Sequence, residues 1–235
     1  MIPSLTAAQM VEVDRAMIED YRIELIQMME NAGRVFAELS RRRLGGTVKG
    51  RRLVVLCGSG NNGGGGMAAA RRLHNWGAQV VVALAKPADE LSGVPAHQLD
   101  ILRRMRIPIL EPASPLPRTC DLILDAIIGY NLSGSPRGAA AGLIQWANAQ
   151  PAPSLALDAP SGLDVTTGTA HPPTVCAAAT LTLALPKNGL LQAEAAPFVG
   201  ELYLADISVP PELYANLGID APHLFAESDL IRVIP

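Results

Sequence analysis

An α/β fold, a mostly parallel central sheet with helices on both faces, is the class this sequence predicts. Three observations predict it. Short apolar, β-branched runs recur along the chain. Amphipathic helical segments separate them. The loops that follow the runs carry glycines, carboxylates and a lysine, where open α/β sheets place their ligands.

Ser4 or Thr6 caps a first helix whose Met10, Val13, Met17 and Ile18 fall at helical spacing. A second helix spans 24–44, with Ile26, Met29, Ala32, Val35, Phe36 and Leu39 on one face, and Gly45-Gly46 ends it. From there the period changes. Strands are expected at 53–57 (LVVLC), 79–84, 107–110, 121–125 (DLILD), 154–157, 179–183 and 201–205, and further helices near 64–76, 90–106, 137–149 and 189–197. No linker divides this pattern, so a single domain over 1–235 is expected.

Composition narrows the function classes. Aromatic residues make up only 4% and the formal net charge is -3, which argues against a nucleic-acid partner. No apolar run approaches the roughly 20 residues that span a bilayer, so no membrane role is expected. The three cysteines are scattered and the first residues carry no signal-peptide pattern, so a cytoplasmic location is expected. The four histidines, His74, His97, His171 and His223, have no ligand spacing and read as surface or helix-edge residues.

Chemistry is read from the strand ends. After 53–57 comes Gly58-Ser59-Gly60-Asn61-Asn62-Gly63-Gly64-Gly65-Gly66, then a helix expected to start near Met67. A glycine run at a strand-to-helix turn lets backbone N–H groups approach an anion, and the helix dipole favours that charge. The run also fits the dinucleotide fingerprint, but the next strand ends Ala83-Leu84-Ala85-Lys86 and offers no acid for a ribose. Asp125 closes a second strand ahead of a loop holding Ser133 and Arg137; it is either a turn residue or a ligand. Asp158 closes a third strand, with Ser161 close behind. Amide, carboxylate and hydroxyl oxygens from three strand ends suit a hard cation. Lys187 follows a fourth strand and either points into the same cleft or is solvated.

Taken in order, these segments resemble the NAD(P)HX epimerases, the YjeF N-terminal domain family. The matching pieces are LTAAQM at 5–10, MMENAG at 28–33, GSGNNGG at 58–64, DAIIG at 125–129 with LSG at 132–134, DAPSGLD at 158–164, TLTLALPKNGL at 180–190 and GELYLADISVP at 200–210. The resemblance implies a Rossmann-like three-layer sandwich and a homodimer. The implied substrate is NADHX or NADPHX, nicotinamide dinucleotides hydrated at C6 of the ring. The implied reaction interconverts their R and S epimers for repair by a dehydratase, separate or fused. It implies a potassium ion at Asn62, Asp125 and Ser161. Substrate contacts are implied at Asn61, Asn62, Gly63, Gly64 and Gly65, at Gly129, Tyr130, Asn131, Leu132, Ser133, Gly134 and Ser135, and at Asp158. With that substrate, Asp158 is expected as the catalytic acid/base and Lys187 as its assistant. Two positions depart from the family pattern: Gly65 stands where an Asp is usual, and Tyr130-Asn131 replace Thr-Gly. A catalytically degenerate nucleotide-binding or scaffold protein of the same fold is the alternative. The apolar residues Met10, Met17, Ile26, Met28, Met29 and Phe36 occupy more than one helix face, which would leave a dimerising patch.

Overall fold

The computed structural model describes residues 2–221 and 223–233, so the outermost limits of the expected domain, Met1 and Pro235, lie outside the described residues. Two N-terminal helices come first, α1 (Ala7–Glu19) and α2 (Leu25–Arg43). Thr6 caps α1: its hydroxyl accepts from the Gln9 N–H while the Gln9 side chain accepts from the Thr6 N–H, satisfying two donors that the first turn leaves free. Gly45 and Gly46, at φ 81° and 91°, take the chain out of α2 in the left-handed region.

The α/β alternation follows as β1 (Arg52–Cys57), α3 (Asn61–Asn75), β2 (Gln79–Leu84), α4 (Gly93–Arg104), β3 (Ile109–Leu110), β4 (Leu122–Ala126), α5 (Gly138–Asn148), β5 (Ser154–Leu157) and β6 (Ala179–Leu183). The chain then continues through α6 (Ala196–Val199), β7 (Glu201–Ala205), α7 (Pro211–Asn216) and β8 (Leu230–Arg232). All eight strands form one sheet in the order β3-β2-β1-β4-β5-β6-β7-β8. The strands pair in parallel except β8, which runs antiparallel to β7. Burial on both faces explains the continuous apolar runs. Leu53, Val55 and Cys57 pack on the side of α2 and α3, while Val54 and Leu56 pack with Leu143 and Ile144 of α5.

Several expectations are corrected. The third strand is shorter than expected. The segment expected as a helix at 189–197 is two 3-10 turns and the four-residue α6. Neither β8 nor α7 was expected. Ile18 is solvent-facing rather than in the core. Met10, Met17, Met28, Met29 and Phe36 are buried within the chain and Ile26 is half-buried, so five of the six residues expected to supply a dimerising patch belong to the core. On α1 the exposed apolar residues are Val11 and Ile18 instead.

The largest correction concerns the glycines. α3 starts at Asn61, so Gly63 to Gly66 are its first turns and are buried. Glycine is a poor helix former, but here tertiary contact decides. α2 crosses α3 so closely that a Cβ on Gly33 would stand 2.5 Å from the Ala68 Cβ and 2.7 Å from the Gly65 oxygen. On the sheet side, a Cβ on Gly66 would collide with the Ala126 Cβ and come within 3.3 Å of Cys57 Sγ. Overpacking of this kind costs about 1–3 kcal/mol, against the ~1 kcal/mol that Ala gains over Gly in a helix. Gly66→Ala is therefore expected to lower stability by up to about 2 kcal/mol. A lower urea midpoint at unchanged m would show it; a raised midpoint would contradict the packing account.

Candidate functional site

Strand order reverses between β1 and β4: the chain runs outward from β1 to β3, then returns to the other side of β1. Open α/β sheets hold their ligands at the carboxyl ends of such a pair. A cleft of about 260 Å³ lies there. Ser59, Gly60, Asn61 and Asn62 form one wall, at the N-terminus of α3. Its first-turn N–H groups have no carbonyl within the helix to bond, which is the arrangement that favours an anion. Ile127 to Asn131 form a second wall, after β4. The floor is polar, with Asp158, and the remaining side is apolar apart from Asp14, from Met10, Leu25, Met29, Leu183 and Ile207.

Asp158 follows β5 at φ +66°, a left-handed conformation that Asp adopts more readily than most residues. Its N–H donates to the Leu181 oxygen at 2.7 Å, extending the β5–β6 ladder. Lys187 is 0% exposed, so the solvated alternative does not hold. Its ammonium donates to Asp158 Oδ1 at 2.5 Å, to the Leu183 oxygen at 3.0 Å and to Thr182 Oγ1 at 3.2 Å. The other oxygen of Asp158, Oδ2, accepts from the Tyr130 N–H at 2.8 Å. Gly129 makes this approach possible, since a Cβ there would stand 2.8 Å from Asp158 Oδ2 and 3.4 Å from the Asn62 Cβ.

Asp125 is fully buried and, among the described residues, makes no ion pair. Ser161 donates its N–H to Asp125 Oδ2 at 2.8 Å and its hydroxyl to Oδ1 at 2.6 Å, and the Ile127 N–H donates to Oδ1 at 3.1 Å. Burial pushes the carboxyl up to about 6, and those hydrogen bonds only partly oppose it. Asn62 donates from Nδ2 to the Leu157 oxygen at 3.2 Å, while its Oδ1 is buried with no partner among the described residues. A buried acceptor without a donor is costly. Amide and carboxylate oxygens of this kind, Asn62 Oδ1 and the unpaired Asp125 carboxylate, are the donors a hard cation takes.

The structure thus groups Asn61, Asn62, Gly129, Tyr130, Asn131, Asp158 and Lys187 at one cleft, with Asp125 and Ser161 beneath it. Gly63, Gly64 and Gly65 lie inside α3: a Cβ on Gly64 would meet Val94 and one on Gly65 would meet Leu157. Leu132, Ser133, Gly134 and Ser135 do not line the cleft, and Ser133, Gly134 and Ser135 are exposed. Of the histidines, His74, His97 and His223 are exposed and His171 is half-buried, and none lines the cleft. Sequence reasoning missed Asp14 of α1 and the apolar wall. At Asp14 the helical pattern marks a polar position and nothing more.

The family model described as YjeF-related protein N-terminus matches residues 25–189. The chain belongs to this family. Among curated family members, the NAD(P)H-hydrate epimerase of Dehalogenimonas lykanthroporepellens is 42% identical over 218 residues, covering 93% of this chain and 87% of that protein. The bifunctional NAD(P)H-hydrate repair enzyme Nnr of Moorella thermoacetica is 38% identical, covering 90% of this chain; the chain spans 42% of that longer protein. The crystal structure of yeast ynu0 superposes with a TM-score of 0.83 at 22% identity, covering 99% of this chain and 100% of that one, which supports the fold. Among the described residues, no helix of this YjeF-family chain is long and apolar enough to cross a membrane.

Proposed function

We propose that this YjeF-family chain is an NAD(P)H-hydrate epimerase that interconverts (R)- and (S)-NAD(P)HX. The observation that carries the reading is the buried Asp158–Lys187 pair, at the foot of a cleft with a helix N-terminus on one wall and an apolar surface on another. The helix N-terminus suits a phosphate. The apolar wall suits a reduced, uncharged ring. The reacting carbon of the hydrate carries both a hydroxyl and the ring nitrogen, so inversion needs proton transfer to and from oxygen, and Asp158 is placed to make it. The product is consumed by a dehydratase, separate or fused. The homodimer rests on the family resemblance. The test of the function is direct: purified NADHX and NADPHX epimers are incubated with the protein and the approach to the equilibrium mixture is followed. A rate at the spontaneous background for both substrates rejects the reading.

A potassium ion held by Asn62, Asp125 and Ser161 belongs to the same proposal. One formal charge with several dipolar oxygens suits a monovalent ion better than a divalent one, which usually recruits more carboxylates. The ion would neutralise Asp125 and tie three strand-end loops together. Its linkage to pH has a definite sign. Without the ion, the Asp125 carboxyl sits at about 6 in the folded chain against an ordinary 3.8. Its contribution is therefore complete below the ordinary value and is lost as pH rises through the folded one, by about 3 kcal/mol. A cation offsets that loss only where Asp125 is ionised. Potassium should thus raise Tm at pH 8 and much less at pH 5, relative to choline chloride at equal ionic strength. Equal Tm values in the two salts at pH 8 would remove the ion from the proposal.

A further inference from the structure

Asp158 supplies only half of what ring opening needs. As the C6–N1 bond of the hydrate breaks, the C6 hydroxyl loses its proton and becomes a carbonyl. The electron pair of the broken bond goes to N1, which takes up a proton. Rotation about C5–C6 then presents the other face of the carbonyl, and closure runs both transfers backwards. Nothing is oxidised or reduced, but the cycle uses two proton-transfer groups.

The cleft holds a second carboxyl. Asp14 of α1 also lines it, half-buried, with no ion pair among the described residues. Tyr130 spans the two. Its N–H donates to Asp158 Oδ2 at 2.8 Å and its hydroxyl donates to Asp14 Oδ2 at 2.5 Å, while Asp14 Oδ1 makes no hydrogen bond among the described residues. We propose that Asp14 is the second proton-transfer residue of this site, giving its proton to N1 as Asp158 takes the hydroxyl proton, with Tyr130 as the residue that positions both.

The surroundings suit that division. Burial raises the Asp14 carboxyl above its ordinary range; the Tyr130 hydrogen bond pulls it down, the Asp158 charge raises it and the Lys187 charge lowers it, with burial the largest effect. The Tyr214 hydroxyl of α7 is pushed up by burial first, then by the charges of Asp206 and Asp14. A carboxyl that keeps its proton to higher pH is the acid of a carboxyl pair.

This inference rests on the epimerase reading, and its test separates the two. kcat and KM for NADHX are measured against pH for the wild type, Asp14→Asn, Asp14→Glu and Tyr130→Phe. Asp14→Asn should lower kcat about 100-fold or more with KM changed less than about threefold, and the alkaline limb of the profile should vanish. Asp14→Glu should restore that limb. Tyr130→Phe should move it to higher pH, because the hydrogen bond that favours the ionised form is gone. An active wild type with Asp14→Asn at wild-type kcat overturns the inference alone. So does a loss of activity that keeps the alkaline limb, which would make Asp14 an anchor for Tyr130 only. If Asp14→Asn fails to fold, an unshifted limb in Tyr130→Phe overturns it. A wild type that does not epimerise at all overturns the epimerase reading and this inference with it.

Discussion

Lys187→Met should lower the folding stability of this chain by about 3–5 kcal/mol, the usual cost of breaking a buried ion pair from one side. Lys187 and Asp158 are 0% and 4% exposed at their side chains, and their closest atoms are 2.5 Å apart. Removing the ammonium leaves Asp158 with the Tyr130 N–H and no counter-ion. Met fills most of the volume of the lysine stem, so little of the loss is a cavity. The effect is a large part of the 5–15 kcal/mol that holds a typical domain together. The double variant Lys187→Met/Asp158→Asn removes both charges and should recover at least half of the loss, because a neutral amide is far cheaper to bury than a lone carboxylate. Urea unfolding of the four proteins closes the cycle. Losses that simply add, with the double variant the least stable, would show that the two groups do not act as a pair.

The size of that effect bears on what could be seen in the sequence. The strands were legible wherever both faces are covered: LVVLC and QVVVAL have no polar alternation to hide them, and β2, β5, β6 and β7 have the expected limits. The edge was not. β8 is three residues, LIR, and only its pairing with β7 makes it a strand. The start of α3 was misplaced because propensity argues against a helix built on four glycines, while the close packing of its first turns on the Gly58 turn, α4 and the sheet leaves no room for a Cβ there. The strand-end residues of the site were legible because sheet topology fixes where a strand ends. Whether Lys187 was buried or solvated was not, since the pattern around a lysine says little about the cavity it enters. Asp14 shows the limit most clearly. It lies 116 positions from Tyr130 in sequence, and only the packing of α1 over the sheet joins them.

Asp158→Asn should abolish most of the epimerisation, lowering kcat about 100- to 10,000-fold, the range over which positioned acid–base groups act. The side chain keeps its shape, and its Oδ2 position can still accept from the Tyr130 N–H, so the cleft keeps its walls. What is lost is the ability to take a proton. The single variant also strands the Lys187 ammonium in the interior, so a fall in activity measured alone would mix chemistry with folding. The double variant with Lys187→Met separates them. It should regain stability and remain inactive, because neither of its replaced side chains can accept a proton from the substrate. Rates are therefore compared per folded molecule, at a temperature well below every Tm, with the folded fraction taken from the unfolding curves. If the double variant regains epimerisation together with stability, the Asp158–Lys187 pair is a structural element of the cleft, and the proton must be taken elsewhere.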